Sequence, residues 1–164
     1  ALPVVCDFTS CTYTILKAGP QLSAQHRQKL EALKIMDSIG FIDNVVMPAL
    51  PVLWKKDRVV LHPGCASTKL LLNGNMANIA GACAHHVVVP AEAGCCGMAG
   101  DRGFLFPELT EGATRYELEE AVPAGADGYY ASAKTCEMAL THFSGKPYRH
   151  IAYLAEEVSR PGAH

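Results

Sequence analysis

Short apolar runs along this chain alternate with segments in which apolar residues recur every three or four positions. Pro, Gly or Asp bound the short runs, which is typical of buried strands at residues 3–6, 59–62, 87–89 and 128–130. The helical periodicity predicts helices over residues 10–17, 37–50, 67–82, 107–121, 135–143 and 148–159. Strands and helices that alternate in this way predict an α/β fold built on a parallel sheet.

The last predicted helix has a well-defined apolar face. Its apolar residues are spaced by three or four positions, so one side of the helix carries Ile151, Leu154, Ala155 and Val158. Two stretches interrupt the alternation of strands and helices. We interpret residues 19–28 as a polar connection and residues 51–57 as a link between two halves of the chain.

A weak internal repeat relates these two halves. The segment CDFTSCTYTIL at 6–16 resembles ASAKTCEMALT at 131–141, so that Cys11 corresponds to Cys136, 125 positions later. Each segment reads as the end of a strand, a small polar residue, a cysteine and an amphipathic helix. The repeat predicts that residues 1–56 are the end of a first copy and residues 57–164 a second copy, together forming one compact domain.

Length, composition and charge exclude several classes of function. The chain has 164 residues, of which 49% are hydrophobic, and this is enough for one domain with its own core. A formal charge of −2 leaves no basic surface for nucleic acid. No apolar run reaches the ~18–20 residues of a membrane span, and the N-terminus does not resemble a signal peptide. The chain starts without Met inside a predicted strand, so we expect it to be part of a longer protein.

Seven cysteines form no regular disulfide framework. In a chain of this size, that pattern favours thiols kept reduced for a metal or redox purpose, and hence a cytoplasmic location.

The strongest chemical signal is the segment Gly94-Cys95-Cys96-Gly97. Cys65 lies 29 intervening residues before it, and Cys136 lies 39 intervening residues after it. Each cysteine follows a predicted strand or lies in a glycine-rich loop. Because the carboxyl ends of parallel strands meet at one edge of a sheet, we expect these thiols to converge there.

The spacing favours an iron–sulfur cluster over zinc. Adjacent residues have Cα atoms only ~3.8 Å apart, so two neighbouring cysteines fit one tetrahedral ion poorly. A cluster offers separate irons to Cys95 and Cys96. Glycines at 64, 94 and 97 would let the backbone approach it and leave amide groups free to bond its sulfides.

Other cysteines and polar neighbours have simpler interpretations. Cys83 is predicted to be a core residue, while Cys6 and Cys11 either approach the site or remain from a first site. His62 is interpreted as a hydrogen-bonded strand-end histidine, with a metal ligand as the alternative. For Arg102, we favour a salt bridge with Asp101 within the turn over a role at the cluster. We also expect solvent exposure for the pair His85 and His86, for Glu92 and for the acidic stretch YELEE at 116–120.

Cys65, Cys95-Cys96-Gly97 and Cys136 resemble the cysteine-rich CCG domain family. That family includes a component of heterodisulfide reductase and the iron–sulfur subunits of glycolate oxidase and anaerobic glycerol-3-phosphate dehydrogenase. Its pattern is a Cys, then Cys-Cys-Gly, then Cys-x-x-Cys, usually present twice. The segments GCCGMAGDRGFLFPEL and SAKTCEMALTHFSGKPYRHIAYLAEE most resemble the C-terminal part of FAD-linked D-lactate dehydrogenases, and the resemblance covers nearly the whole chain.

The resemblance implies an iron–sulfur electron-transfer domain. The first Cys of the Cys-x-x-Cys pair is replaced by Ala133, which leaves four matching cysteines where the family has five. A cubane 4Fe–4S cluster is therefore as compatible with this chain as the noncubane cluster of the family. By the same resemblance, FAD and a ferredoxin-like domain would lie upstream in the same polypeptide, and the isolated chain would be inactive. The complete enzyme would be cytoplasmic or peripheral to the inner membrane.

Two other functions are compatible with the residues themselves. One is a metal-stabilised docking module that transfers no electrons. The other is thiol–disulfide chemistry at Cys95 and Cys96, which would need one thiol with a lowered pKa.

Overall fold

The computed structural model describes residues 2–162, and its elements alternate along the chain. The strands are β1 Val4–Cys6, β2 Ile35–Asp37, β3 Lys56–His62, β4 Ala84–Val88, β5 Gly128–Ala131 and β6 Tyr148–His150. The helices are α1 Thr9–Lys17, α2 Ala24–Glu31, α3 Ser38–Phe41, α4 Cys65–Lys69, α5 Asn73–Cys83, α6 Arg102–Leu105, α7 Pro107–Ala121, α8 Lys134–Ser144 and α9 Ile151–Ser159. Two 3-10 turns, Gly19–Gln21 and Met47–Ala49, and a π-helical turn, Ile42–Val46, complete the list.

All strand pairs are parallel, which confirms the predicted fold class. The main sheet has the order β4-β3-β5-β6, and β1 and β2 form a separate two-stranded sheet. In the main sheet, His62 at the end of β3 is aligned with Ala131 at the end of β5. Ala131 is in turn aligned with His150 at the end of β6. The carboxyl ends of three strands therefore form one edge.

Helices cover both faces of the main sheet. Alternate residues of a strand point to opposite faces, so Val59 and Leu61 pack on one side and Val60 on the other. The first side is closed by apolar residues of α5 and α9, including the predicted face Ile151, Leu154, Ala155 and Val158. The second side is closed by α7 and α8, through residues such as Leu118 and Leu140. This second layer also contains Cys96 and Cys136.

Two strands are less buried than the apolar runs predicted. Val4 and Val5 of β1 are 43% and 41% exposed, and within residues 2–162 β1 pairs only with β2. β4 ends at Val88 and Val89 is exposed, because β4 is an edge strand of the main sheet.

The predicted helix over residues 37–50 is wrong as a single element. Residues 35–37 form β2, and the following helix starts at Ser38 with Asp37 as its cap. It changes to a π-helical turn and then to a 3-10 turn around Pro48, which has no amide hydrogen to continue an α-helix.

The predicted helix over residues 67–82 is also divided. α4 ends at Lys69 and α5 begins at Asn73, because Leu71 adopts a left-handed conformation with φ of 59° between them.

Two other boundaries differ from the prediction. Residues 148–150 form β6 rather than the first turn of a helix. The segment 19–28, predicted as a connection, contains a 3-10 turn and the start of α2, where Ser23 accepts a hydrogen bond from the amide of His26.

The β1–β2 unit and the β5–β6 unit are built alike. In each unit a helix follows the first of two parallel strands, and Cys11 and Cys136 are the third residues of those helices, α1 and α8. The β1–β2 connection contains α2 in addition. The second strand ends on a residue that caps the next helix. Asp37 accepts from the amide of Ile39, and His150 accepts from the amide of Ala152.

The helices are short relative to a bilayer. The longest, α7, has 15 residues, and no helix within residues 2–162 is long and apolar enough to cross a membrane.

Candidate metal centre

Three loops at the carboxyl edge of the main sheet bring the four predicted cysteines together. Cys65 is the first residue of α4, just after β3. Cys136 lies in the first turn of α8, after β5. Cys95 and Cys96 lie in the loop that follows β4. The predicted convergence at the carboxyl edge of the strands is therefore what the fold produces.

Cys96 and Cys136 form the buried pair of this site. Their Sγ atoms are 3.2 Å apart, with the Cys136 thiol donating to Cys96, and each residue is 5% exposed. This hydrogen bond is the main reason why the pKa of Cys96 is lowered, and the amide of Met98 lowers it further. The pKa of Cys136 is raised well above its ordinary value, first by the same bond and then by burial. The sulfur of Cys96 therefore loses its proton more readily than the sulfur of Cys136.

Cys65 and Cys95 form the exposed pair. The pKa of Cys65 is raised, first by its partial burial and then by the charge of Cys95 and a hydrogen bond with it. The charges of Cys65 and Cys95 both contribute to the raised pKa of Cys136. All four thiols therefore lie within electrostatic reach of one another, two in the interior and two at the surface.

The four thiols do not form a ready shell for a single ion. Within residues 2–162, no group of three or more His, Cys, Asp or Glu side chains is arranged to hold one metal ion. Thiolate sulfur is the ligand that iron–sulfur clusters use, and in a cluster the ligands are shared among several irons. The chemistry of this donor set thus fits a cluster, and its spacing does not fit a preformed tetrahedral zinc site.

Two of the three predicted glycines are required by packing. A Cβ built on Gly64 would lie 2.9 Å from Ser132 Oγ and 3.3 Å from Cys136 Sγ, so this glycine keeps space open beside the thiol. Gly97 has a φ of +75°, and its Cβ would lie 2.6 Å from the Leu109 carbonyl oxygen. At Gly94 the nearest atom to a built Cβ is 4.0 Å away. Packing within the protein therefore does not require a glycine at position 94, and its close approach to a cluster stays a prediction.

The remaining three cysteines have different surroundings. Cys83 is fully buried in the core below β3, as predicted, and burial raises its pKa to about 11. Cys6 is half-buried at the end of β1, and Cys11 is exposed on α1. In the part of the chain that the structure describes, neither forms a sulfur–sulfur hydrogen bond with the four. Ala133 is buried and caps α8, where the family pattern has a cysteine.

His62 lies beside the buried cysteine pair and is bonded to Glu117. Its Nδ1 atom is 2.8 Å from both carboxylate oxygens of Glu117, and both side chains are buried. The interpretation of YELEE as one exposed helix face is therefore wrong at Glu117, which is 1% exposed. The spacing of Thr110, Thr114, Glu117 and Ala121 could have shown this, because positions three or four apart share one face of α7.

Charged residues of the adjoining loop point to solvent. The salt bridge predicted between Asp101 and Arg102 is not formed: both are exposed, and no ion pair joins them within residues 2–162. Asp101 is the cap of α6 and Arg102 its first residue, and both side chains remain in solvent, where an ion pair contributes little free energy. Lys134 is exposed and paired with Glu137 at 2.9 Å. Glu92, His85 and His86 are exposed, as predicted.

Ser132 connects the site to its surroundings and was not predicted. Its hydroxyl accepts a hydrogen bond from the amide of Gly64, next to Cys65. Its carbonyl oxygen accepts one from the hydroxyl of Thr9 at 2.8 Å, in the first half of the chain. Only its place at the end of the predicted strand 128–130 could have indicated this role.

Comparison with known proteins agrees with this geometry. A search of the curated proteins gives no significant match. The family model described as a cysteine-rich domain, CCG, matches residues 59–141, a span that contains all four cysteines of the centre. This family is associated with iron–sulfur chemistry, which supports a general role in iron–sulfur electron transfer. The chain therefore belongs to the CCG cysteine-rich domain family.

Proposed function

We propose that this chain is the iron–sulfur electron-transfer domain of a flavin-linked oxidoreductase that acts on a 2-hydroxy acid of the D-lactate or glycolate type. Cys65, Cys95, Cys96 and Cys136 would hold a 4Fe–4S cluster, cubane or noncubane. The observation that carries the proposal is the buried contact of 3.2 Å between Cys96 and Cys136, with two further thiols at its open side.

Each part of the centre has a distinct task. An iron–sulfur cluster, when bound, accepts and releases single electrons. Cys96 and Cys136 keep water away from the inner side, because both are buried. The amide of Met98 stabilises negative charge on the sulfur of Cys96. Cys65 and Cys95 face solvent, so electrons would enter or leave on their side.

The flavin context is supported by the resemblance of the segments around Cys96 and Cys136 to FAD-linked enzymes. In this proposal a flavin domain and a ferredoxin-like domain of the same polypeptide supply electrons, in the cytoplasm or at the inner membrane. The present chain would oxidise no D-lactate or glycolate by itself. Turnover of either acid by the chain, with only an acceptor dye added, would contradict this dependence.

We further propose that residues 1–56 are the end of a first CCG repeat and residues 57–164 a second. The support is the like construction of the β1–β2 and β5–β6 units, with Cys11 and Cys136 at the same helical position. Helix-capping side chains at Asp37 and His150 extend the correspondence. Cys11 would then be a residue of a lost first centre.

A specific observation supports thiol–disulfide chemistry as the second candidate. In that reaction a thiolate attacks the disulfide of a partner molecule, and a second thiol then releases the partner as a dithiol and leaves a disulfide in the protein. Cys96 and Cys136 are close enough to act in this order. The reacting pair would then be Cys96 and Cys136 rather than the neighbours Cys95 and Cys96. A docking module stabilised by a metal would need the same four cysteines but no reducible group.

One experiment separates these functions. The protein is purified without oxygen, incubated with iron and sulfide, and desalted; iron, sulfide, zinc and visible absorbance are then measured. A brown protein with bound iron and sulfide, bleached by dithionite, is expected. Bound zinc without colour would support the docking module. A colourless, metal-free protein with one reversible disulfide between Cys96 and Cys136 would support thiol exchange.

A further inference from the structure

The side chain of His62 has an unused nitrogen in the interior. His62 is fully buried, and within residues 2–162 its Nε2 atom has no hydrogen-bond partner. Buried polar atoms of this kind are uncommon, because each loses its hydrogen bond to water without replacement. A buried nitrogen of this kind indicates a bonding partner that residues 2–162 do not provide.

The unused nitrogen is on the same side of the sheet as the buried cysteines. His62 is two residues after Val60 on β3, so both side chains point into the layer that contains Cys96 and Cys136. A Cβ built on Gly64 would lie 3.7 Å from His62 Nε2 and 3.3 Å from Cys136 Sγ. Both atoms therefore border the space that Gly64 leaves open.

Glu117 determines which ring nitrogen is available. An ionised carboxylate can only accept hydrogen bonds, so Nδ1 carries the hydrogen in the 2.8 Å contact with Glu117. A neutral imidazole with hydrogen on Nδ1 has a free electron pair on Nε2. This is the arrangement of carboxylate, histidine and metal in which the carboxylate fixes the tautomer and makes the ligand more basic.

We infer that His62 is a nitrogen ligand of the cluster through Nε2 and that Glu117 is its positioning residue. The inference rests on the proposed iron–sulfur function. It adds one nitrogen donor to the four cysteine sulfurs. Five donors match the five ligands of the noncubane cluster, since a cubane 4Fe–4S cluster takes only four. Imidazole coordinates iron in other iron–sulfur centres, where it raises the reduction potential relative to thiolate ligation.

The test measures two quantities, the iron content of the protein and the spectroscopic signature of a nitrogen bound to that iron. The parent protein is reconstituted with ⁵⁷Fe and sulfide after growth with either ¹⁴N- or ¹⁵N-histidine. Pulsed electron paramagnetic resonance of the reduced cluster should show a nitrogen coupling that changes with the isotope. Mössbauer spectra, which do not need a paramagnetic state, should show one iron site unlike the thiolate-bound irons.

Three variants assign the nitrogen. His62→Cys should keep the iron but lose the coupling, and its reduction potential should fall because a thiolate replaces a neutral ligand. Glu117→Gln should keep the coupling and shift the potential upwards, because a buried negative charge is removed. His150→Gln is the matched control, since within residues 2–162 the buried Nε2 atom of His150 also has no hydrogen-bond partner. This variant should leave the coupling unchanged.

The outcomes distinguish a failure of the proposed iron–sulfur function from a failure of the His62 assignment alone. A parent protein that takes up no iron and sulfide would overturn the proposed function and this inference together. Normal iron uptake with no isotope-dependent coupling and equivalent irons would overturn the inference alone. A coupling that disappears in His150→Gln and persists in His62→Cys would also overturn it, since it would assign the nitrogen to the other histidine.

Discussion

The Sγ atom of Cys136 lies 3.2 Å from that of Cys96, although 40 positions separate the two residues in the chain. Cys136 is held in the first turn of α8, and Cys96 is held by a loop that packs on α7 through Gly97. The contact therefore depends on two helices of the same layer.

The first prediction concerns the cysteine ligands. Replacing any of them by Ser should lower the iron retained after anaerobic reconstitution well below that of the parent, because a neutral hydroxyl binds iron far more weakly than a thiolate. The variants are Cys65→Ser, Cys95→Ser, Cys96→Ser and Cys136→Ser, and iron per chain is the measurement.

Two controls match these variants in burial. Cys11→Ser is exposed, like the variants at Cys65 and Cys95, and Cys83→Ser is buried, like those at Cys96 and Cys136. Both controls should retain iron. Iron content equal to the parent in all four ligand variants would contradict the assignment of the centre.

The second prediction concerns Gly97. Gly97→Ala should destabilise the fold by about 3 kcal/mol, because the new Cβ meets the Leu109 carbonyl and the positive φ is strained for Ala. Gly100→Ala has a similar φ of +82° but open space around it, and it should cost about 1 kcal/mol. Urea unfolding of the metal-free proteins measures both. Equal losses would show that the contact with Leu109 does not restrict this position.

The third prediction concerns the buried pair of His62 and Glu117. Glu117→Ala should destabilise the metal-free protein by about 1–3 kcal/mol, because it leaves the Nδ1 hydrogen of the buried His62 ring without its acceptor. Glu119→Ala lies on the exposed side of the same helix and should stay within about 0.5 kcal/mol of the parent. Chemical unfolding monitored by circular dichroism gives both values.

A double variant provides the corresponding test of pairing. His62→Leu with Glu117→Leu should be less destabilised than the sum of the two single variants, because neither residue is then left alone. Additive effects would contradict a direct interaction between the two side chains.

The fourth prediction concerns Cys83 at alkaline pH. Burial raises the pKa of Cys83 from its ordinary value of 9.0 to about 11. Between these values the folded chain keeps a proton that the unfolded chain has lost, so the free energy of unfolding falls as the pH rises. Cys83→Ala removes this contribution, and the difference between parent and variant should change by about 2 kcal/mol between pH 7 and pH 11. A difference that stays constant over this range would contradict the prediction.

The sequence predicted the helices α1, α7, α8 and α9 and the convergence of the cysteines, because both depend on patterns of a few residue types. β6 was missed since a strand of three residues is too short to show alternation, and the strong helical face of α9 follows it directly. Glu117 was missed for a different reason. Its charge suggested solvent, and only the tertiary contact with His62 explains its burial.

The two hydrogen bonds of Ser132 have a consequence for residues that donate no ligand. Thr9 bonds the carbonyl of Ser132, whose hydroxyl in turn bonds the amide beside Cys65. The N-terminal half thus helps to hold the loops that carry Cys65 and Cys136 in position. A chain shortened from its N-terminus would hold these loops less firmly, although it would still contain all four cysteines.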